Sequence, residues 1–167
     1  MHIAVLAATG ATGQQLLTQA LERGHDVVAL VRDPGRLDVP ASPRLRVARA
    51  DVHDPDSVVT ALAGVDAIVS GLGTSRKAPP GTLTAGATAL GAAASRRGVP
   101  AAAGTGGNAP NVVWLSAYGS GTSAGRAGAL TRWLLHVAIG TQELADKAQA
   151  DELLLAAGAS EIGRAHV

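Results

Sequence analysis

The sequence contains no cysteine and no phenylalanine, and its aromatic residues, 2% of the 167 positions, are Trp114, Trp133 and Tyr118. Without cysteine there can be no disulfides, thiolate metal ligands or cysteine nucleophiles. That fits a reducing compartment, and a cytoplasmic location is expected. A base-stacking surface needs several aromatic rings on one face, which this chain cannot supply. Charge of one sign is also missing: 14 Lys and Arg against 13 Asp and Glu leave a net charge of +1. Such a balance offers no electrostatic footprint for nucleic acid or an anionic membrane. No apolar run reaches the roughly 18 residues of a membrane-crossing helix. The first run is broken by Thr9 and Gly10, too early for a signal-peptide core. The expected partner is therefore a small molecule, with neither nucleic acid nor membrane.

What is abundant is small and apolar. Hydrophobic residues make up 47% of the chain, mostly Ala, Val and Leu, so a sizeable core can form from side chains that let helices approach a sheet closely. Short apolar runs of the buried parallel-strand type alternate with helical segments. Strands are expected over 2–7, 26–31, 66–70 and 111–115, and over 45–48, which alternates rather than running continuously apolar. Helices are expected over 14–23, 55–63, 82–97, 130–139 and 142–157. Asp54 is placed as an N-cap with Pro55 in the first turn, and Gly24, Gly64 and Gly158 as stops. Asp33-Pro34-Gly35 is a strong turn signal, while 99–110 and 116–128 carry no periodicity. Strand–helix alternation through five strands predicts a doubly wound parallel α/β sheet in the order 3-2-1-4-5.

The informative motif is Ala7-Ala8-Thr9-Gly10-Ala11-Thr12-Gly13, between the first strand and the first helix. Glycine permits a tight turn and close approach of a pyrophosphate, and a helix N-terminus offers free amides and a partial positive charge. The strand–loop–helix context is what this motif requires. Ala8, Thr9, Gly10, Ala11, Thr12 and Gly13 are therefore candidate cofactor residues, with Thr12 alternatively read as a helix N-cap. Arg32 directly follows the second strand, where arginine accommodates the 2′-phosphate of NADP. Asp33 competes, since an acidic residue about 20 positions past the loop would bind the ribose of NAD. NADP is the favoured cofactor and NAD the alternative. Gly71, Leu72 and Gly73 follow the fourth strand on the same sheet edge and are expected beside the nicotinamide-side ribose.

The segments 3–17 and 24–34 resemble the NAD(P)-binding, NmrA-like branch of the atypical short-chain dehydrogenase/reductases, a family that includes flavin reductase and biliverdin reductase B relatives. Asp51-Val52 with Asp54-Pro55, and residues 65–74, 111–119 and 145–158, extend the resemblance in register to about Ser160. It implies a dinucleotide-binding Rossmann domain, with Asp51 and Val52 lining the adenine pocket. An ordinary strand-end turn is the competing reading of those two residues. Lys147 matches the lysine that atypical relatives carry on this helix, although an exposed helical charge would look the same. Ser116 and Tyr118, after the fifth strand, complete the candidate catalytic set. The family's usual glycine is replaced by Ala7, whose methyl is expected to weaken cofactor binding without abolishing it. The Tyr-x-x-x-Lys pair of ordinary short-chain dehydrogenases is absent, because Thr122 stands four residues after Tyr118. Five scattered histidines without i, i+4 pairing suggest no metal site, and His136, beside Trp133, reads as a packing residue.

Residues 161–167 match neither the family's next strand nor an apolar period, and resemble a translated sequencing adapter. They are expected to be a non-native tail outside the sheet. On that reading residues 1–160 are the Rossmann domain of a longer family member, truncated before a sixth strand, with the fifth strand at an open edge. The expected function is an NAD(P)H-dependent oxidoreductase passing hydride to a flavin, quinone or carbonyl acceptor. The alternative is a non-catalytic dinucleotide sensor acting through a protein partner.

Overall fold

A computed structural model describes residues 1–73, 78–96, 111–117, 141–157 and 161–165. The first five strands of the sheet are β1 (His2–Leu6), β2 (Asp26–Val31), β3 (Leu45–Arg49), β4 (Ala67–Ser70) and β5 (Asn111–Ala117). The continuous apolar run of β2 is buried over Val27–Val31, whereas β3, which alternates Leu, Arg, Val, Ala and Arg, has no buried residue. All pair in parallel, in the order β3-β2-β1-β4-β5, the doubly wound order expected.

The alternation of strand side chains divides the core in two. Ala4, Leu6, Val28, Leu30, Ile68, Val112 and Trp114 face α2 (Pro55–Ala61), α3 (Thr82–Arg96) and α4 (Thr141–Ala156), whose Val58, Leu83, Leu90 and Leu154 meet them. Val5, Val27, Ala29 and Val31 face the other way, against Leu17 of α1 (Ala11–Glu22). Local chemistry sets the helix ends. Asp54 caps α2 through Ser57 N–H, with Pro55 at the first position. Gly24 and Gly64 follow α1 and α2 with φ of +79° and +82°, the left-handed geometry that glycine adopts without penalty.

Three points differ from the sequence reading. First, α1 begins at Ala11 rather than at residue 14, because Gly13 belongs to the helix. Second, Glu161–Ala165 forms a sixth strand, β6, parallel to β5 from Val113↔Glu161 to Ala117↔Ala165. The expectation that these residues stay outside the sheet and leave β5 as an edge is corrected. Strand addition uses backbone groups, so a segment without an apolar period can still satisfy an open edge. Third, Asp146 of α4 reaches back over more than sixty residues to α3. Its carboxylate accepts the N–H groups of Leu83 and Thr84, each at 3.0 Å, and the Thr84 hydroxyl. A helix N-terminus is thereby capped from a neighbouring helix. The expected helix over 130–139 and the aperiodic stretch 99–110 lie outside the described residues, as do Gly158 and most of 116–128. Among the described residues, no helix is long and apolar enough to cross a membrane.

Candidate functional site

The site grows from the end of β1. At Ala7 the backbone enters the left-handed region, with φ of 58°. The Ala7 carbonyl then accepts the Gly10 N–H at 3.0 Å. Gly10 is the N-cap of α1 and itself extended (φ −78°, ψ 160°), and no side chain caps the helix. Thr12 is therefore not the cap; it lies in the first turn. The first bond along the helix runs from Gln14 N–H to the Gly10 carbonyl, 2.8 Å. The amides of Ala11, Thr12 and Gly13 precede it and have no carbonyl partner within the helix, an arrangement that suits an anion.

Glycine lets three pieces of chain meet here. A β-carbon at Gly13 would fall on the Ala7 carbonyl oxygen and lie 2.8 Å from the Ala8 α-carbon. One at Gly71 would lie 3.1 Å from Gly13 N. The end of β4 thus packs directly on the start of α1, and Gly71 N–H ties it to the end of β1 at the Leu6 carbonyl, 3.1 Å away.

Along this carboxyl edge of the sheet opens a cleft of about 480 Å³. Ala7, Thr9, Gly10, Ala11 and Thr12 line it from the loop, and Arg32 and Arg36 from beyond β2. Ala50 and Val52 come from the end of β3; Gly71, Leu72 and Gly73 follow β4, and Thr82 opens α3. Most of the predicted cofactor residues thus share one cavity. Ala8 and Gly13 are buried behind it, where they support the loop.

Both acidic candidates are held by their own turns. The Asp51 carboxylate accepts the His53 N–H at 3.0 Å, and Asp33 caps a short 3₁₀ turn (Pro34–Arg36) through Gly35 N–H at 3.1 Å. Neither is among the cleft-lining residues. That same turn carries Arg36 to the cleft beside Arg32. Sequence reasoning missed Arg36; the available signal was the Arg-x-x-x-Arg spacing across Pro34-Gly35. Thr82 was also missed. Its hydroxyl donates to the Pro79 carbonyl at 2.6 Å and meets His53 Nε2 at 3.4 Å.

Of the catalytic candidates, Lys147 is not among the described residues that line the cleft. Tyr118 lies outside the described residues. Ser116 sits on β5 opposite Arg164 of β6. Lys147 is half-buried on α4 rather than an exposed charge. Burial lowers its pKa below the ordinary 10.5, and the nearby Asp151 carboxylate opposes that shift. A second, more open groove of about 540 Å³ lies between the start of α2 and helices α3 and α4. It shares only Val52 with the predicted residues. Among the described residues, no cluster of His, Asp and Glu could hold a metal ion.

A family model described as NAD(P)H-binding matches residues 7–160. A 3-beta-hydroxysteroid dehydrogenase of Mycolicibacterium neoaurum is 39% identical over 67 residues, 40% of this chain. The matched stretch is only 18% of that relative's own length. An anaerobillin reductase from Escherichia coli superposes with a TM-score of 0.73 at 18% identity, covering 98% of this chain and 72% of that one. A short-chain dehydrogenase/reductase from Veillonella parvula, solved in complex with NADP, gives 0.69 at 16% identity, covering 98% and 68%. At such identities the structures show a shared fold.

Proposed function

The chain belongs to the NAD(P)H-binding family matched over residues 7–160, and from that premise we propose that it is an NADPH-dependent reductase of the NmrA-like branch. Its acceptor is a small diffusible flavin, quinone or carbonyl compound, and its setting is the cytoplasm. The observation that carries this reading is the uncapped N-terminus of α1, opening into a cleft that also holds Arg32 and Arg36.

The residues present fit the dinucleotide. The amides of Ala11, Thr12 and Gly13 would hold the pyrophosphate. Arg32 and Arg36 would hold the 2′-phosphate through forked, charge-assisted hydrogen bonds. Asp33, turned onto Gly35 N–H, leaves that phosphate unopposed. Gly71 and Gly73 would let the nicotinamide-side ribose come close to the backbone, and Val52 would flank the adenine. When bound, the nicotinamide supplies the hydride, while the protein positions it and excludes water. An acceptor that needs little acid assistance suits a chain without Tyr-x-x-x-Lys.

That missing pair also favours a second reading, a dinucleotide sensor in which cofactor binding alters a surface read by a protein partner. Fluorescence titration with NADPH and NADH, followed by NADPH oxidation with a panel of flavins and quinones, separates the two. Turnover supports the reductase, and tight binding without turnover supports the sensor. Failure to bind either nucleotide overturns both.

A further inference from the structure

We infer that Gly86 is a positioning residue for the cofactor cleft: its missing side chain gives Leu72 the seat that keeps Leu72 clear of the dinucleotide. The inference rests on the cofactor reading above and concerns a residue in the body of α3, outside the cleft lining.

Glycine is a poor helix former, yet Gly86 is buried in the first half of a fifteen-residue helix. A β-carbon there would lie 2.5 Å from Leu72 Cδ2, 3.6 Å from Trp114 Cη2 and 3.7 Å from Val52 Cγ1. The last two are ordinary contacts. Only Leu72 forbids the side chain, and it does so through the far end of a flexible group, so the side chain yields before the helix does.

The direction in which it yields is set by its surroundings. The backbone at Leu72 is held by its N–H on Ser70 Oγ at 3.2 Å, and Ser70 is fully buried. Trp114 and Val52, 0% and 8% exposed, fill the space around the seat. Leu72 itself is half-buried and lines the cleft. Among the described residues, the side left open to it is the cleft, and a methyl at position 86 drives the Leu72 side chain toward the volume the cofactor needs.

A double-mutant cycle tests this, with NADPH affinity read by fluorescence titration and stability by thermal midpoint. Gly86→Ala is expected to weaken NADPH binding about tenfold, the scale of one misplaced methyl group. Its melting temperature should be unchanged or higher, because alanine favours the helix. In a Leu72→Ala background, Gly86→Ala should have no further effect on affinity. Should Gly86→Ala fail to fold, Leu72→Phe with Gly86 intact over-fills the same seat and is expected to give the same loss. Wild-type affinity in Gly86→Ala or Leu72→Phe overturns the inference, as does an equal Gly86→Ala loss with and without Leu72. A wild-type protein that binds neither NADPH nor NADH overturns the cofactor reading itself and this inference with it. Wild-type binding combined with an inert Gly86→Ala overturns this inference alone.

Discussion

The Ala7 carbonyl and the Gly13 α-carbon lie in direct contact, with no space between them for a side chain. That contact seats the first turn of α1 against the end of β1. Gly10, which stands between them, has a different task. Its backbone is extended, and a β-carbon there would meet the Ala7 oxygen at 3.4 Å, a tolerable distance. The turn therefore does not depend on glycine at position 10, although the sequence reading assigned the glycines of this loop both the tight turn and the close approach of the pyrophosphate. What Gly10 leaves open is the cleft.

The two glycines should thus separate fold from binding. Gly13→Ala is expected to destabilise the protein by about 3 kcal/mol, the upper end for overpacking, because backbone rather than a side chain must move. Gly10→Val should stay within about 1 kcal/mol of wild type yet lose dinucleotide binding. Denaturant unfolding and NADPH titration on both variants check this. Equal stability losses would place both glycines in the turn.

Ala7 is strained where Gly13 is crowded. A left-handed φ of 58° costs a non-glycine residue about 1–2 kcal/mol, while glycine's greater unfolded-state freedom costs about 0.5–1 kcal/mol. Ala7→Gly is therefore expected to stabilise the fold by about 0.5–1 kcal/mol. It should also tighten NADPH binding, since the position lines the cleft. Loss of stability by chemical denaturation would mean that the Ala7 methyl packs usefully.

The central strands, the Asp54-Pro55 helix start and the loop between β1 and α1 were legible because each is encoded locally, and strand order followed from their alternation with helices through right-handed crossovers. Strands buried on both faces read as unbroken apolar runs, and caps and turns need particular residues at fixed offsets. The unread features are set by distant partners. Gly13 reads as loop until Ala7 is seen against it, and nothing near Asp146 in sequence signals that it caps α3. Arg36 reaches the cleft only because Asp33 and Pro34 wind a turn between it and β2. β6 is joined through backbone groups, which side-chain pattern does not record.

Lys147 gives a pH signature. Burial lowers its folded pKa below the ordinary 10.5, so between those two values the unfolded chain binds more protons than the folded one. Stability must then rise with pH through that window. Compared with Lys147→Met, the wild-type protein should gain stability as pH climbs from the lowered folded pKa to 10.5 and level off above it. Thermal melts of both proteins across this range check it. Parallel curves would place the ammonium in solvent.

The proposed preference for NADPH rests on two arginines, and each can be tested alone. Arg32 and Arg36 are both exposed at the rim of the cleft, so each charge-assisted hydrogen bond should fall at the low end of its range, about 1.5 kcal/mol. That corresponds to about a tenfold loss of NADPH affinity for Arg32→Ala or Arg36→Ala. NADH binding should change little, because it lacks the 2′-phosphate that the guanidinium groups would meet. Raising the salt concentration should erode the NADPH preference of the wild type, since solvent-exposed charges are screened within about 8–10 Å. Asp33 supplies the control. With its carboxylate on Gly35 N–H, Asp33→Asn should leave NADH affinity near wild type and shift the preference no further toward NADPH than Arg36 already takes it. If Asp33→Asn instead weakens NADH binding strongly, the carboxylate turns inward to the ribose and the site belongs to NAD. Equal losses of both nucleotides in the arginine variants would reduce Arg32 and Arg36 to general attraction for an anion.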